Sequence, residues 1–461
     1  MTKPCPTLAK FNWVVRIAIA AACSSAIHSY AQSLIEPVQN QSNKANNNTD
    51  ISGNIPEAVL SPLSLERAIQ LARQYNHDLK LGKTNVANAE AATTIAGAAP
   101  NPNLTIQTSG INPRLGIGPG SLKNKTVDST LRIDQLVERG GKRELRLEAA
   151  THLEKASRLD FNDTERQLKQ MIGAAYFDLA AAQHKLRISK ENSDSYQATL
   201  NAADKRKKSG DIAGADVARV RVDALRAEND LLQSASELKR AQSALALLIG
   251  IKAPPMSIQV MDDWHTEDAL PASVLSDELI QKRTDVAAAK ARLDAALAAR
   301  KLALAARTRD VTVGLQFEHY PTSPANQLGS GNSYGISIQI PLFSRYEFQG
   351  EIRAAEVAVD AAQENLAKTI DAARNELSLQ FESLQTSKTL LARFQNELLP
   401  AARKSAEATE FAFKNGAVPV MDVLDARRTY RSIELDTINA KADLAKASMT
   451  LRISLEELEH K

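Results

Sequence analysis

The chain has 461 residues, a formal net charge of +3 and only 4% aromatic residues. The length admits several globular domains, but so few aromatics exclude one large aromatic core and favour long helices packed through small side chains. With near-neutral charge and no lysine/arginine block that stands out, nothing favours nucleic acid as a partner.

The N-terminus reads as a secretory signal. Lys3, Lys10 and Arg16 precede an apolar or small stretch from Ile17 to Ala26, and Ser29-Tyr30-Ala31 sets cleavage before Gln32. Residues 1–31 are thus expected to be the signal peptide, with Cys23 after three alanines leaving lipid attachment open. Both cysteines, Cys5 and Cys23, fall inside it. The mature chain then has no disulfide, thiolate metal site or cysteine nucleophile. Residues 32–62, rich in Asn, Gln, Ser and Pro, are expected to form an extended arm. No later segment reaches the length of an apolar membrane-spanning helix, so any bilayer crossing must use strands.

Ser64 is placed to cap a helix from Leu65, with a break near Asn76 and a stop at Pro100 and Pro102. Two alternating stretches follow, Leu104 to Thr108 and Val127 to Asp134. Their counterparts later in the chain are Val311 to Glu318 and Ile336 to Ile340. Each pair has one apolar and one polar face and a loop too long for a tight hairpin. A proline-free run from Arg143 to Lys208 predicts a helix of about 100 Å. Its seam is Leu168, Ile172, Ala175, Leu179, Ala182 and Leu186. The counterpart, Ile352 to Lys414, carries Leu366, Ile370, Ala373, Leu377, Phe381, Leu384, Leu391, Phe394 and Leu398. Pro400 should kink or split it. Gly210 and Gly416 then close the two long helices.

The chain repeats itself. Val217, Val220, Ala224, Ala227, Leu231, Ser234, Leu238, Ala241, Leu245 and Leu248 step by threes and fours. Val423 to Ser454 does so in the same register. Gly210/Gly416, Asp216/Asp422 and Leu136/Leu342 share the offset. The expected fold is mainly α with a small β part, an internal duplication of two long antiparallel helical hairpins with four strands per chain. The first repeat spans 63–250, the linker 251–273 and the second repeat 274–461.

Four strands cannot close a barrel; about eight is the practical minimum. The long helices far outrun the strands and cannot merely cover them. Tyr320, Tyr334, Phe343, Tyr346 and Phe348 cluster near the ends of the later strands, as interfacial aromatics do. A membrane barrel here must be pooled from several chains, with the hairpins continuing it as a helical cylinder.

In its duplication, strand pairs, helix lengths and two glycine turns the chain resembles the TolC-like outer-membrane efflux proteins. The resemblance implies a homotrimer with a 12-stranded outer-membrane β-barrel and a periplasmic α-barrel. It also implies outer-membrane lipid around the barrel, a periplasmic adaptor (membrane fusion) protein and an inner-membrane RND-type pump as partners. Gly416-Ala417-Val418-Pro419-Val420-Met421-Asp422-Val423-Leu424-Asp425 resembles the family's periplasmic tip. By that resemblance Asp422 and Asp425 line the pore gate, and the tips at Gly210, Asp216, Gly416 and Asp422 meet the adaptor. The first copy carries Asp216 but Arg219 where the second has Asp425. Phe413 and Val418 stand where a gate tyrosine and a latch arginine would be, so those latches are absent. The strand-to-helix step Gly140-Gly141-Lys142-Arg143 looks like the CzcC-type heavy-metal branch, implying divalent metal cations as cargo. The same step also reads as flexible glycines with cations at the interface.

His77, His152, His184, His265, His319 and His460 are scattered without ligand spacing. No phosphate loop or nucleophile elbow occurs. No catalytic residue, cofactor or bound metal is expected. The competing readings are the same duct carrying drugs or other organic compounds, and a secreted coiled-coil structural protein without a pore.

Overall fold

The computed structural model describes residues 62–110, 127–210, 212–251, 258–264, 277–320, 331–415 and 417–459. The signal peptide, nearly all of the arm, Gly416, His265, His460 and most of the inter-repeat linker lie outside the described residues.

Helix α1 (Leu65–Tyr75) begins as expected, with the Ser64 hydroxyl accepting from the Arg67 N–H and Glu66 in the first turn. Asn76 breaks it. The Asn76 Oδ1 accepts from the N–H groups of Asp78 and Leu79 at 2.7 and 3.1 Å, so one side chain caps the start of α2 (His77–Gly97). Its amide also donates to the Leu248 carbonyl at 2.9 Å. Strands β1 (Asn103–Ser109) and β2 (Asp128–Val137) follow, then α3 (Lys142–Lys208) and the returning α4 (Gly214–Ile249). At 67 residues α3 runs about 100 Å.

The second half opens with α5 (Asp277–Lys282) and α6 (Thr284–Ala305), then β3 (Val311–Tyr320) and β4 (Gly331–Gln339). Strand β4 starts five residues before the expected Ile336, because Gly331 to Gly335 continue the ladder although Tyr334 is their one large side chain. The second long helix is interrupted: α7 (Gln349–Arg393), a π-helical turn at Phe394–Leu398, and α8 (Leu399–Lys414). The break lies just before Pro400, whose ring cannot tolerate the carbonyl four residues back. The extra residue in the turn shifts the seam. Leu391 and Phe394 are followed on the inner side by Leu399, Ala402 and Ala406, and the expected seam residue Leu398 is exposed instead. The chain returns as α9 (Val420–Glu459).

Of the four buried apolar clusters among the described residues, two carry the first hairpin. One gathers α1, the middle of α3, the end of α4, Ile258 and Val260, and the end of α9 around Tyr176, Leu179, Leu245, Ile249 and Met449. The other sits at the far end of α3, where Tyr196, Leu200, Val217, Val220 and Leu424 pack together. Between them lies a polar layer. Ser189 and Ser234 share a hydrogen bond of 2.8 Å, and Arg431 donates to Ser189 and to the Ile188 carbonyl.

Candidate functional site

The four strands form one antiparallel sheet in the order β1-β2-β3-β4, so the middle ladder joins the first half of the chain to the second. Directly paired residues share a face. The register therefore builds two apolar rows across all four strands: Leu104–Ile133–Leu315–Ile336 and Ile106–Leu131–Phe317–Tyr334. Nothing in the described chain covers them, and Ile336 is 79% exposed. Tyr334 thus belongs to an apolar row, its ring tilted against Phe317 with centroids 5.4 Å apart, and not to a strand end.

The opposite face is polar. Its rows include Asn103–Asp134–Gly314–Ser337 and Gln107–Thr130–Glu318–Ser333. Arg132 binds Asp134 and donates to Ser337 at 3.1 Å. A side chain at Gly314 would overlap both Asp134 and Ser337, so glycine there leaves room for this network. Strands β1 and β4 are the sheet's two free edges. A water-facing sheet of this kind would bury its aliphatic face; an aliphatic face left open beside a polar one is the pattern of a strand between lipid and an aqueous lumen.

The strand-to-helix junction is held by its own motif. Gly140 and Gly141 take positive φ, at 76° and 68°, and a Cβ on Gly140 would meet Thr308 at 2.8 Å. Lys142 donates to the Thr308 carbonyl and to Asp310, each at 2.8 Å. Arg143 caps the Gly97 carbonyl at 2.6 Å, while Arg146 bonds the Ala96 carbonyl and Glu138. These cations satisfy the open carbonyls at the end of α2 and tie the two halves together where the sheet meets the helices. At the second junction Phe348 occupies the left-handed conformation that Gly141 holds in the first, with φ 62°. Phe343 and Tyr346 pack around it at 5.1 and 6.2 Å.

At the other end of the long helices, Gly210 is left-handed with φ 83° and closes α3. Gly416 lies outside the described residues. Asp216, in the first turn of α4, pairs with Arg219 at 3.8 Å. Asp422 and Asp425 are both exposed and line one shallow groove with Thr409, Ala412 and Val418. They differ in company. Asp425 is bound by Arg428 at 2.8 Å, whereas Asp422 has no ion pair among the described residues.

Three arginines on α9 tie the second hairpin to the first, and the sequence reading passed them over. Arg427 donates to Ser195 and Thr199 on α3 and pairs with Glu410 at 3.1 Å. That hydrogen bond holds the Glu410 carboxyl below its ordinary range. Arg428 also reaches the nearly buried Asp223 on α4 at 3.3 Å, and Arg431 makes the polar-layer contacts described above. Their three- and four-residue spacing on one helix was the available signal, hidden by its likeness to an ordinary solvated stripe. Phe413 is half-buried under the Arg206 guanidinium at 5.5 Å.

His184 is not incidental. It bonds Asp262 at 2.8 Å and lies beside Trp264, pinning residues 258–264 to α3. His319 bonds Asn332 within the sheet. Among the described residues, no group of three or more His, Cys, Asp or Glu side chains has the arrangement of a metal site.

The outer membrane efflux protein family matches at residues 68–251 and 275–455. The cobalt-zinc-cadmium resistance protein CzcC of Cupriavidus metallidurans is 26% identical over 401 residues, covering 86% of this chain and 90% of its own. The pyoverdine export outer membrane protein OpmQ of Pseudomonas putida is 26% identical over 415 residues, 86% of each chain. Among solved structures, the Campylobacter jejuni CmeC outer membrane channel superposes with a TM-score of 0.72 at 17% identity, covering 85% of each chain. The matches run through both hairpins and all four strands, and the chain belongs to the outer membrane efflux protein family, with its sheet in the outer membrane and its helices in the periplasm.

Proposed function

We propose that three copies of this chain pool their sheets into a 12-stranded barrel and their hairpins into a tunnel, forming a passive exit duct for divalent heavy-metal cations. One observation carries this reading: a four-stranded sheet with two free edges and an apolar face on which Leu104, Ile106, Leu131, Ile133, Leu315, Tyr334 and Ile336 are exposed. Such a sheet is unstable in isolation and closes when edges of neighbouring copies pair around a polar lumen. The repeats are assigned to 63–250 and 274–461. Energy comes from an inner-membrane pump, reached through a periplasmic adaptor that docks on the hairpin tips.

The metal assignment is supported by the likeness to CzcC. The Gly140-Gly141-Lys142-Arg143 step supports it only by resemblance, since its cations are engaged with protein oxygens and position the sheet. An organic cargo is the second reading, favoured by an equal identity to OpmQ. A deletion strain separates them. Sensitivity to cobalt, zinc or cadmium salts is expected; sensitivity confined to dyes or antibiotics would transfer the assignment to organic cargo.

The gate is assigned to Asp422 and Asp425. Because Arg428 offsets Asp425, most of the uncompensated negative charge falls on Asp422. In planar bilayers Asp422→Asn should lower cation over anion permeability more than Asp425→Asn does. Equal permeability ratios in both variants and the parent would reject the assignment.

A further inference from the structure

The near-neutral net charge conceals a basic block, contrary to the expectation that no lysine/arginine block stands out. Lys205, Arg206, Lys207 and Lys208 fill the last turn of α3, and all four are exposed. A helix C-terminus welcomes a cation, but its dipole amounts to about half a charge. The internal copy shows the difference. The equivalent positions are Phe411, Ala412, Phe413 and Lys414, and Lys414 is paired with Glu410 at 3.2 Å. Three arginines at the start of α4, beside the same tip, are compensated: Arg219 by Asp216, Arg221 by Asp204 at 3.6 Å and Arg226 by Asp223 at 3.7 Å. Lys205, Lys207 and Lys208 have no ion pair among the described residues, and Arg206 lies over the Phe413 ring. The sequence of the turn adds one carboxylate, Asp211, outside the described residues. The cations sit about 100 Å along α3 from the sheet, beyond reach of the outer-membrane surface.

We propose that the Lys205–Lys208 turn of the first hairpin is an electrostatic docking surface for an acidic helical segment of the periplasmic adaptor. This rests on the duct reading and supplies the chemistry of its partner. An exposed, unpaired block of one sign steers association and selects the opposite sign, while adding a salt-sensitive component to binding. The duplicated tips have diverged: the second hairpin carries an exposed Phe411 where the first carries Lys205.

The test uses the full-length detergent-purified protein and a variant with Lys205→Gln, Arg206→Gln, Lys207→Gln and Lys208→Gln together. The probes are a Glu-rich helical hairpin peptide, its Lys-rich counterpart and phosphatidylglycerol vesicles. The parent should bind the Glu-rich hairpin, increasingly weakly as salt rises, and the variant should lose about tenfold or more. Equal binding by parent and variant, or preference for the Lys-rich hairpin, would overturn the proposal. Vesicle binding lost in the variant while peptide binding persists would overturn it too, in favour of a lipid surface. Conductance of the same variant in planar bilayers keeps the two readings apart. Normal conductance with unchanged peptide binding defeats the docking surface alone, and absence of conductance from parent and variant alike defeats the duct.

Discussion

Gly173 is the single glycine in 67 residues of α3, and its reason is across the interface. A Cβ there would overlap the Met449 sulfur and lie 2.8 Å from its methyl. Helix propensity favours alanine over glycine by about 1 kcal/mol, while overpacking costs about 1–3 kcal/mol. Gly173→Ala should therefore lower the melting temperature, and in a Met449→Ala background the same change should raise it. Glu434 carries a second residue-scale prediction. It is half-buried on α9, where burial and then the nearby Glu191 raise its pKa above the ordinary value, only partly offset by Arg187 and Arg431. A raised carboxyl favours the protonated folded form. Its contribution is fully present below the unfolded pKa and declines as pH rises through the folded one. Glu434→Gln should thus stabilise the protein at neutral pH, with the gain vanishing near pH 4; thermal melts at the two pH values measure it.

At the scale of elements, the π-helical turn at Phe394–Leu398 makes the second long helix one residue longer than its seam requires. Deleting Asn396 together with Pro400→Ala should convert the turn to ordinary helix and bring the seam into phase without it, leaving assembly intact, whereas inserting a residue there should expose Ala402 and Ala406. Cross-linked trimer yield reports both. Most of this architecture was readable beforehand. Ser64, Asn76, the alternating strands and the three-four stepping of α4 and α9 are local signals, and the structure uses each, with β4 begun five residues early. What escaped was not local. Leu398 was placed on the seam because periodicity alone cannot count a π insertion. The α9 arginines look like a solvated stripe until α3 and α4 are brought beside them. His184 gains its meaning only when Asp262, 78 positions away, folds back. Asp422 and Asp425 share a face, and spacing alone also says which of them Arg428 binds: it stands three residues from Asp425 and six from Asp422.

For the whole molecule, the division of labour is between a sheet that one chain cannot close and helices that extend it. The sheet's lipid-type face and polar face are fixed by pairing register, and the junction residues Lys142 and Asp310 hold it to the helical body across the internal duplication. The gate proposed at Asp422 and the docking surface proposed at the first tip both depend on copies joining edge to edge along β1 and β4. Native mass spectrometry of the detergent-extracted full-length protein tests that joining most directly. The account predicts a complex of three chains that withstands dilution; a monomer as the sole species would contradict it.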